Sequence, residues 1–98
     1  MAYNAGNEER TELAVVDKND RGEKIVITKI VNKSTGVMSL DLRNYYTDAD
    51  GVLRPTQKGI RVRDEMVYEV VKGCLGALDE YELTCLKDYI SDVTEEEE

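Results

Sequence analysis

A β-hairpin pattern over residues 36–63 constrains the fold of this chain more than any other feature. Apolar and polar residues alternate over residues 38–43, a period of two that is typical of a half-buried strand. Two tyrosines follow, and residues 47–51 (TDADG) have the aspartate and glycine composition of a turn. Alternation resumes over residues 58–63. The pattern therefore predicts a hairpin that carries two tyrosines and several basic side chains.

The segments on either side of the hairpin predict the rest of the fold. Residues 11–17 form a short apolar strand candidate, and residues 23–33 are the richest β-branched segment. At Asp64, a favourable helix N-cap, the apolar spacing becomes helical. The helical stripe slips near Leu78, which predicts a break or kink there and a second helix to about Ser91. We therefore expect an α+β fold, with a four-stranded antiparallel sheet followed by a kinked C-terminal helix that covers one sheet face.

The length of 98 residues allows one domain, whose small core a second copy would help to complete. Residues 1–10 are small and polar and predict a flexible N-terminal arm, while residues 11–91 form the folded domain. Residues 92–98 (DVTEEEE) predict a disordered acidic tail. No apolar run could span a bilayer and no signal-peptide pattern is present, so we expect a soluble, intracellular protein.

The net charge of −8 is distributed very unevenly along the chain. Residues 21–63 carry nine basic and four acidic side chains, a charge of +5, whereas residues 64–98 carry two basic and twelve acidic ones, a charge of −10. The predicted sheet is therefore basic although the protein is acidic.

A basic sheet that carries tyrosines makes a single-stranded nucleic acid the first partner to consider. Such a strand needs cations for its phosphates and flat side chains on which its bases stack. Tyr45 or Tyr46 can provide the stacking platform. The alternative is a solvated strand face with two tyrosines packed at a sheet edge. The candidate cations of the hairpin are Arg43, Arg54, Lys58 and Arg61.

Enzymatic chemistry finds little support in the sequence. The chain has no histidine, so the commonest general base is absent. Residues 48–51 (DADG) begin like a calcium loop, but the twelfth position from Asp48 is Gly59 instead of glutamate. Cys74 and Cys85 lack the spacing of a zinc site and predict reduced, largely packed thiols. We expect no enzymatic activity, no metal and no cofactor.

The hairpin residues resemble the signature of the positive cofactor 4 family. The resemblance covers residues 40–46 (LDLRNYY), then Asp48, Gly51, residues 54–55 and residues 58–60. Family members are transcriptional coactivators in eukaryotes and single-stranded-DNA-binding proteins in bacteria and phages. The resemblance implies a curved sheet, a homodimer whose two sheets form a channel, and binding of single-stranded DNA, or of RNA, without strong sequence preference in replication, repair or transcription.

The family's eukaryotic coactivators carry a long serine-rich arm that this sequence lacks. The chain therefore looks more like a bacterial or phage member. That resemblance implies a cytoplasmic protein, or one in the host-cell cytoplasm if it is phage-encoded, and a nuclear one only if it is eukaryotic.

The resemblance also implies roles for individual residues. Arg43 matches an arginine on the family's DNA face, and Tyr46 stands where eukaryotic members have a tryptophan that contacts DNA. Ser34 and Thr35 replace an aromatic residue and a lysine of those members, so Lys29 or Lys33 would have to compensate. The residues expected to bind nucleic acid are Lys29, Lys33, Arg43, Tyr45, Tyr46, Arg54, Lys58 and Arg61.

Alternation and resemblance disagree about Tyr46. If Leu40 and Leu42 face the helix, strict alternation places Arg43 and Tyr45 on the open face and Tyr46 on the other. The resemblance requires Arg43 and Tyr46 on the same face. We therefore expect a β-bulge near Asn44 that shifts the register by one residue.

The acidic C-terminal segment supports a second hypothesis of a different class. In it the chain is a protein-interaction module or transcriptional cofactor, which recruits polymerase or replication proteins through residues 92–98. A purely solubilising end, or a weak competitor for the basic sheet, also fits the composition.

Overall fold

The computed structural model describes residues 5–95. They form a short 3-10 turn, four β-strands and two α-helices. The 3-10 turn is Ala5–Asn7, and the strands are β1 (Glu8–Asp17), β2 (Lys24–Asn32), β3 (Met38–Thr47) and β4 (Leu53–Arg63). The helices are α1 (Asp64–Leu75) and α2 (Glu80–Glu95). None of the helices in this described part is long and apolar enough to cross a membrane.

The four strands form one antiparallel sheet in the order β1-β2-β3-β4. The β3–β4 turn confirms the turn predicted for residues 47–51. The Asp48 carboxylate accepts backbone hydrogen bonds from Asp50 (2.9 Å) and Val52 (3.0 Å). Gly51 has a φ of 82°, a left-handed conformation that glycine adopts without steric cost. The predicted hairpin is therefore present, with β4 at the edge of the sheet as Pro55 requires.

The pairing register divides the sheet into two faces, because successive side chains of a strand point to opposite sides. We call one the arginine face, defined by Val26, Thr28, Ile30, Asp41, Arg43, Tyr45 and Arg61. We call the other the aliphatic face, defined by Ile27, Leu40, Leu42, Ile60 and Val62.

The described core of the sheet draws on both faces. Val26 and Ile30 of the arginine face are 3% and 2% exposed, and Val62 of the aliphatic face is 2% exposed. Ile60 on the aliphatic face is 59% exposed. Part of the aliphatic face is therefore open to solvent in the single chain.

A β-bulge is present beside Asn44, as the sequence predicts, but its surplus residues belong to β4. Arg43 pairs with Gly59 and Tyr45 pairs with Pro55, so β3 advances two residues while β4 advances four. On its other side β3 follows β2 without interruption from Met38 to Tyr45. Because β4 has an even number of extra residues here, the side chains on both sides of the bulge keep alternating between the same two faces. The expected one-residue shift is therefore wrong: Arg43 shares its face with Tyr45, and Tyr46 follows on the aliphatic face.

Two predicted boundaries differ from the observed ones. β1 begins at Glu8 instead of residue 11, because residues 8–10 pair with β2. α2 continues to Glu95, so residues 92–95 are helical where a disordered tail was expected. The remaining parts of the predicted arm and tail, residues 1–4 and 96–98, lie outside the described residues.

The C-terminal region contains two helices instead of one kinked helix. α1 ends at Leu75 and α2 begins at Glu80, which confirms the break predicted near Leu78. Asp79 caps α2: its carboxylate accepts the Glu82 amide hydrogen bond (2.8 Å), and the Glu82 carboxylate accepts the Asp79 amide hydrogen bond (3.1 Å). Cys74 and Cys85 are free, as expected, but both are exposed, so their predicted packing is wrong.

The chain divides into two compact units, residues 1–67 and residues 68–98. We call them the sheet unit and the helical unit. α1 has no buried residue, and Tyr81, Tyr89 and Ile90 of α2 are 77%, 64% and 51% exposed. The apolar side chains of the helical unit are therefore largely open to solvent in the single chain.

Candidate nucleic-acid interface

The centre of the arginine face is an ion pair between adjacent positions of β3. Arg43 donates two hydrogen bonds to the Asp41 carboxylate, from Nε at 3.0 Å and from Nη2 at 2.9 Å. Asp41 is only 3% exposed, so this bidentate pair is largely removed from water. The hydrogen bonds to Asp41 raise the pKa of the Arg43 guanidinium. Arg43 is therefore a fixed cation in a defined orientation.

A second arginine joins the two edges of the sheet across the same face. Arg61 on β4 has Nε 3.8 Å from Asp41 Oδ1 and Nη1 3.9 Å from Glu8 Oε2 on β1. In a flat sheet, three strand spacings of about 4.8 Å would separate the backbones of these edge strands by about 14 Å. Glu8 also accepts a hydrogen bond from Arg10 at 3.0 Å. The charged side chains thus converge over the arginine face, as in a sheet that is concave there.

Side-chain hydrogen bonds, in addition to the backbone hydrogen bonds of the sheet, stabilise the bulge in β4. The Thr56 hydroxyl donates to the Asn44 carbonyl (2.6 Å) and accepts the Lys58 backbone N–H (3.1 Å). Arg43 Nη1 donates to the Thr56 carbonyl at 3.1 Å. A Cβ at Gly59 would lie 2.6 Å from the Leu42 carbonyl oxygen, so only glycine allows β4 to approach β3 so closely here. The bulge therefore has a defined shape.

The structure brings together three of the eight residues predicted to bind nucleic acid. Arg43, Tyr45 and Arg61 share the arginine face. By the same register Lys29, Tyr46 and Arg54 belong to the aliphatic face, Lys33 follows β2 in the turn, and Lys58 lies in the bulge.

The predicted cations also differ in whether they already have an acidic partner. Arg54 Nε donates to the Asp48 carboxylate at 2.8 Å, which, with the backbone hydrogen bonds of the turn, lowers the pKa of Asp48. Within residues 5–95, the side chains of Lys29, Lys33 and Lys58 are exposed and have no hydrogen-bond or ion-pair partner. These three lysines are free to meet phosphates, whereas Arg43 and Arg54 would have to share or exchange their carboxylates.

Sequence reasoning overlooked three residues of this interface. Lys24 pairs directly with Tyr45 on the arginine face and contacts Asp17 of β1. Its position two residues before Val26 in the β-branched strand could have revealed it. Asp41 and Thr56 gave no comparable signal, because their roles depend on contacts with other strands. The described residues contain no group of acidic or cysteine side chains that could hold a metal ion.

Comparisons with known proteins identify a family and two solved structures to which this chain is similar. Residues 21–73 match the model of a family described as Transcriptional Coactivator p15 (PC4). Two similar solved structures are the tetragonal and orthorhombic crystal forms of BPSL1147, a PC4 homologue from Burkholderia pseudomallei K96243. The tetragonal form is 30% identical with a TM-score of 0.60, covering 70% of this chain and 97% of that one. The orthorhombic form is 31% identical with a TM-score of 0.61, covering 71% and 90%. A comparison with curated proteins gave no significant match.

Proposed function

This chain belongs to the PC4 family, and we propose that it binds single-stranded DNA through its sheet, as a homodimer and without strong sequence preference. The family is one of DNA-binding, coactivator-like proteins. One observation carries the proposal. The basic segment of residues 21–63 holds both the arginine face, with its tyrosine, and three exposed lysines that have no acidic partner within the described residues: Lys29, Lys33 and Lys58. Phosphates and bases are the two features that every nucleotide offers, so such a surface favours binding without regard to sequence.

The arginine face supplies the chemistry for unpaired bases. Tyr45 is half-buried between its cross-strand neighbours Lys24 and Pro55, which leaves part of its ring available to a base. Arg43 is the next residue of β3 on the same face, Arg61 lies further along that face opposite Asp41, and Lys58 stands in the edge strand β4. Aromatic stacking contributes about 1–3 kcal/mol per base and depends on an unpaired base. Duplex DNA, whose bases are already stacked, should therefore bind less tightly.

Exposed apolar surface supports the homodimer. Several large apolar side chains of each unit are more than a third exposed in the single chain. A standard interface buries about 800 Å² on each partner. Ile60 of the sheet unit and Leu83 and Ile90 of the helical unit are among the exposed apolar side chains that a second copy would cover.

Fluorescence anisotropy of a labelled thymine strand of about 20 nucleotides, against a duplex of equal length, tests the proposal over a range of salt concentrations. We expect preference for the single strand and a log affinity that falls by about 0.7 per neutralised phosphate for each tenfold rise in salt. Equal affinity for the duplex, or no binding by the folded protein at low salt, would overturn the proposal.

Alanine substitutions of three tyrosines locate the binding surface. Tyr45→Ala should weaken single-strand binding by about 1–3 kcal/mol if its ring stacks on a base. Tyr89→Ala, an exposed tyrosine of α2, is the matched control and should bind as the unchanged protein does. Tyr46→Ala decides whether the aliphatic face contributes. A chain without residues 92–98 should retain single-strand binding, whereas a module that recruits proteins through this segment would lose its partner.

A further inference from the structure

The β4 bulge raises a question about the role of Arg43. Family resemblance assigns this arginine to DNA, but its guanidinium already makes three hydrogen bonds within the protein. Nε and Nη2 bind the Asp41 carboxylate, and Nη1 binds the Thr56 carbonyl. Asp41 also offsets its charge at short range. Arg43 is therefore better placed to hold protein groups than to contact a phosphate.

The group that Arg43 holds is the bulge itself. The Thr56 carbonyl accepts from Arg43, and the Thr56 hydroxyl binds both the Asn44 carbonyl and the Lys58 amide. Thr56 therefore connects the buried Asp41–Arg43 pair to the backbone of Lys58. Each link is a hydrogen bond of 3.1 Å or less, so the chain of contacts from Asp41 to Lys58 is unbroken.

Lys58 is the part of this chain of contacts that can act on a ligand. Its side chain is exposed and has no acidic partner within the described residues. A free lysine loses rotational freedom when it binds a phosphate, and a fixed backbone reduces the part of that cost that comes from the main chain. The next residue, Gly59, has no Cβ and lets the β4 backbone lie directly against the Leu42 carbonyl oxygen of β3. The bulge thus presents Lys58 from a rigid base.

We infer that Thr56 and Arg43 are positioning residues, which fix the β4 bulge so that Lys58 can contact a backbone phosphate of the bound strand. Asp41 acts one step further back, because it orients Arg43. This inference rests on the proposed binding of single-stranded DNA. It agrees with the family resemblance that Lys58 meets the nucleic acid, and differs from it in giving Arg43 a supporting role instead of a direct contact.

A double-mutant cycle between Thr56 and Lys58 tests the inference with the full-length protein and a labelled thymine strand. Lys58→Gln should weaken binding by about two- to fivefold, as for loss of one exposed ion pair, and reduce the salt slope by about 0.7. Thr56→Val keeps the shape and all charges but removes the hydroxyl, and should produce the same loss. Thr56→Ser keeps the hydroxyl and should restore binding. The double variant should be no weaker than Lys58→Gln alone.

Arg43→Lys provides an independent test, because lysine keeps the charge but cannot bind Asp41 and the Thr56 carbonyl together. If Arg43 positions the bulge, this variant loses as much salt slope as Lys58→Gln, and adding Lys58→Gln changes nothing further. A retained salt slope in Arg43→Lys would overturn the inference. Additive losses in either cycle would do the same. Thermal unfolding of each variant establishes that the binding data come from folded protein.

The two proposals fail in different ways. If the unchanged protein does not bind the single strand, the proposed function is overturned and the inference with it. If the unchanged protein binds and Thr56→Val binds equally well with the same salt slope, only the positioning role is overturned.

Discussion

The sheet unit and the helical unit differ in how far they bury their apolar side chains within one chain. In the sheet unit Val26, Ile30 and Val62 are at most 3% exposed within one chain. In the helical unit the described helices have a clear apolar stripe, yet Tyr81 and Ile90 are more than half exposed. The sheet unit thus has a core of its own, whereas the described apolar side chains of the helical unit are largely exposed.

This difference implies that, in a chain of 98 residues, the stability of the two units has different sources. The buried core of the sheet forms by long-range pairing within the chain, so its contribution to stability should not depend on protein concentration. The helices gain burial only when another apolar surface is present, so theirs should depend on concentration if a second copy supplies it. Matched substitutions in the two units test that contrast.

Substitution of one isoleucine in each unit should give the largest contrast. Ile30→Ala, at a position 2% exposed, should lower the free energy of unfolding by about 3–4 kcal/mol because it leaves a cavity. Ile90→Ala, at a position 51% exposed, should change it by less than about 0.5 kcal/mol in dilute protein. Urea unfolding followed by circular dichroism measures both.

A dilution series extends the same experiment to the dimer. If a second copy covers the helix, as proposed, the effect of Ile90→Ala should grow with protein concentration, while that of Ile30→Ala should stay constant. If the two substitutions cost the same at every concentration, the contrast between the units is wrong.

A pair of glycines sharpens the comparison at the level of the backbone. Gly59→Ala in β4 should destabilise by about 2 kcal/mol, because the new Cβ would meet the Leu42 carbonyl oxygen at 2.6 Å. Gly73→Ala in α1 meets no atom within 4 Å and should stabilise by up to about 1 kcal/mol. Thermal unfolding of the two variants checks the signs, and a neutral Gly59→Ala would contradict the close approach of the strands.

The smallest effect concerns the pH dependence of a turn in the sheet unit. Hydrogen bonds from Arg54 and from the backbone of Val52 and Asp50 lower the pKa of Asp48 below its ordinary 3.8. The folded state therefore binds a proton less readily than the unfolded state. The stabilisation is fully present above about pH 4 and is lost as the pH falls through the folded-state pKa.

Asp48→Asn should accordingly be less stable than the unchanged protein at neutral pH, with the difference shrinking on acidification. Asp50→Asn is the matched control, because the turn's backbone hydrogen bonds go to the carboxylate of Asp48 and Asp50 contributes only its backbone N–H. Thermal unfolding between neutral pH and about pH 2.5 measures the difference. A constant difference between Asp48→Asn and the unchanged protein across this range would refute the assignment.

The sequence predicted the elements that depend on local patterns. Alternation located β3, the turn composition located residues 47–51, and the slip in the helical stripe located the break before α2. The start of β1 was missed because residues 8–10 are charged and do not alternate. They are strand only because β2 offers them partners and because Glu8 meets Arg61 across the sheet.

The candidate site was less predictable because it depends on which strand carries the surplus residues of a bulge. A bulge of one extra residue in β3 and a bulge of two extra residues in β4 are both compatible with the same turn at residues 47–51 and with the same alternation of apolar and polar residues in β3. They differ only in the pairing between strands, which no single segment encodes. The prediction therefore grouped Arg43 with Tyr46 by means of a bulge in β3, whereas the uninterrupted alternation of β3 places Arg43 with Tyr45 and leaves Tyr46 on the other face.

The surplus in β4 limits how the genes of related proteins can change in length at this point. Unless the bulge itself absorbed the change, adding or removing a single codon between Pro55 and Gly59 would turn the later side chains of β4 over, so that Ile60 would exchange faces with Arg61. Changes of two codons keep each side chain on its face. Relatives aligned with this chain should therefore show gaps of even length in this segment, and an odd gap would mark a sheet whose edge strand has exchanged its binding and packing surfaces.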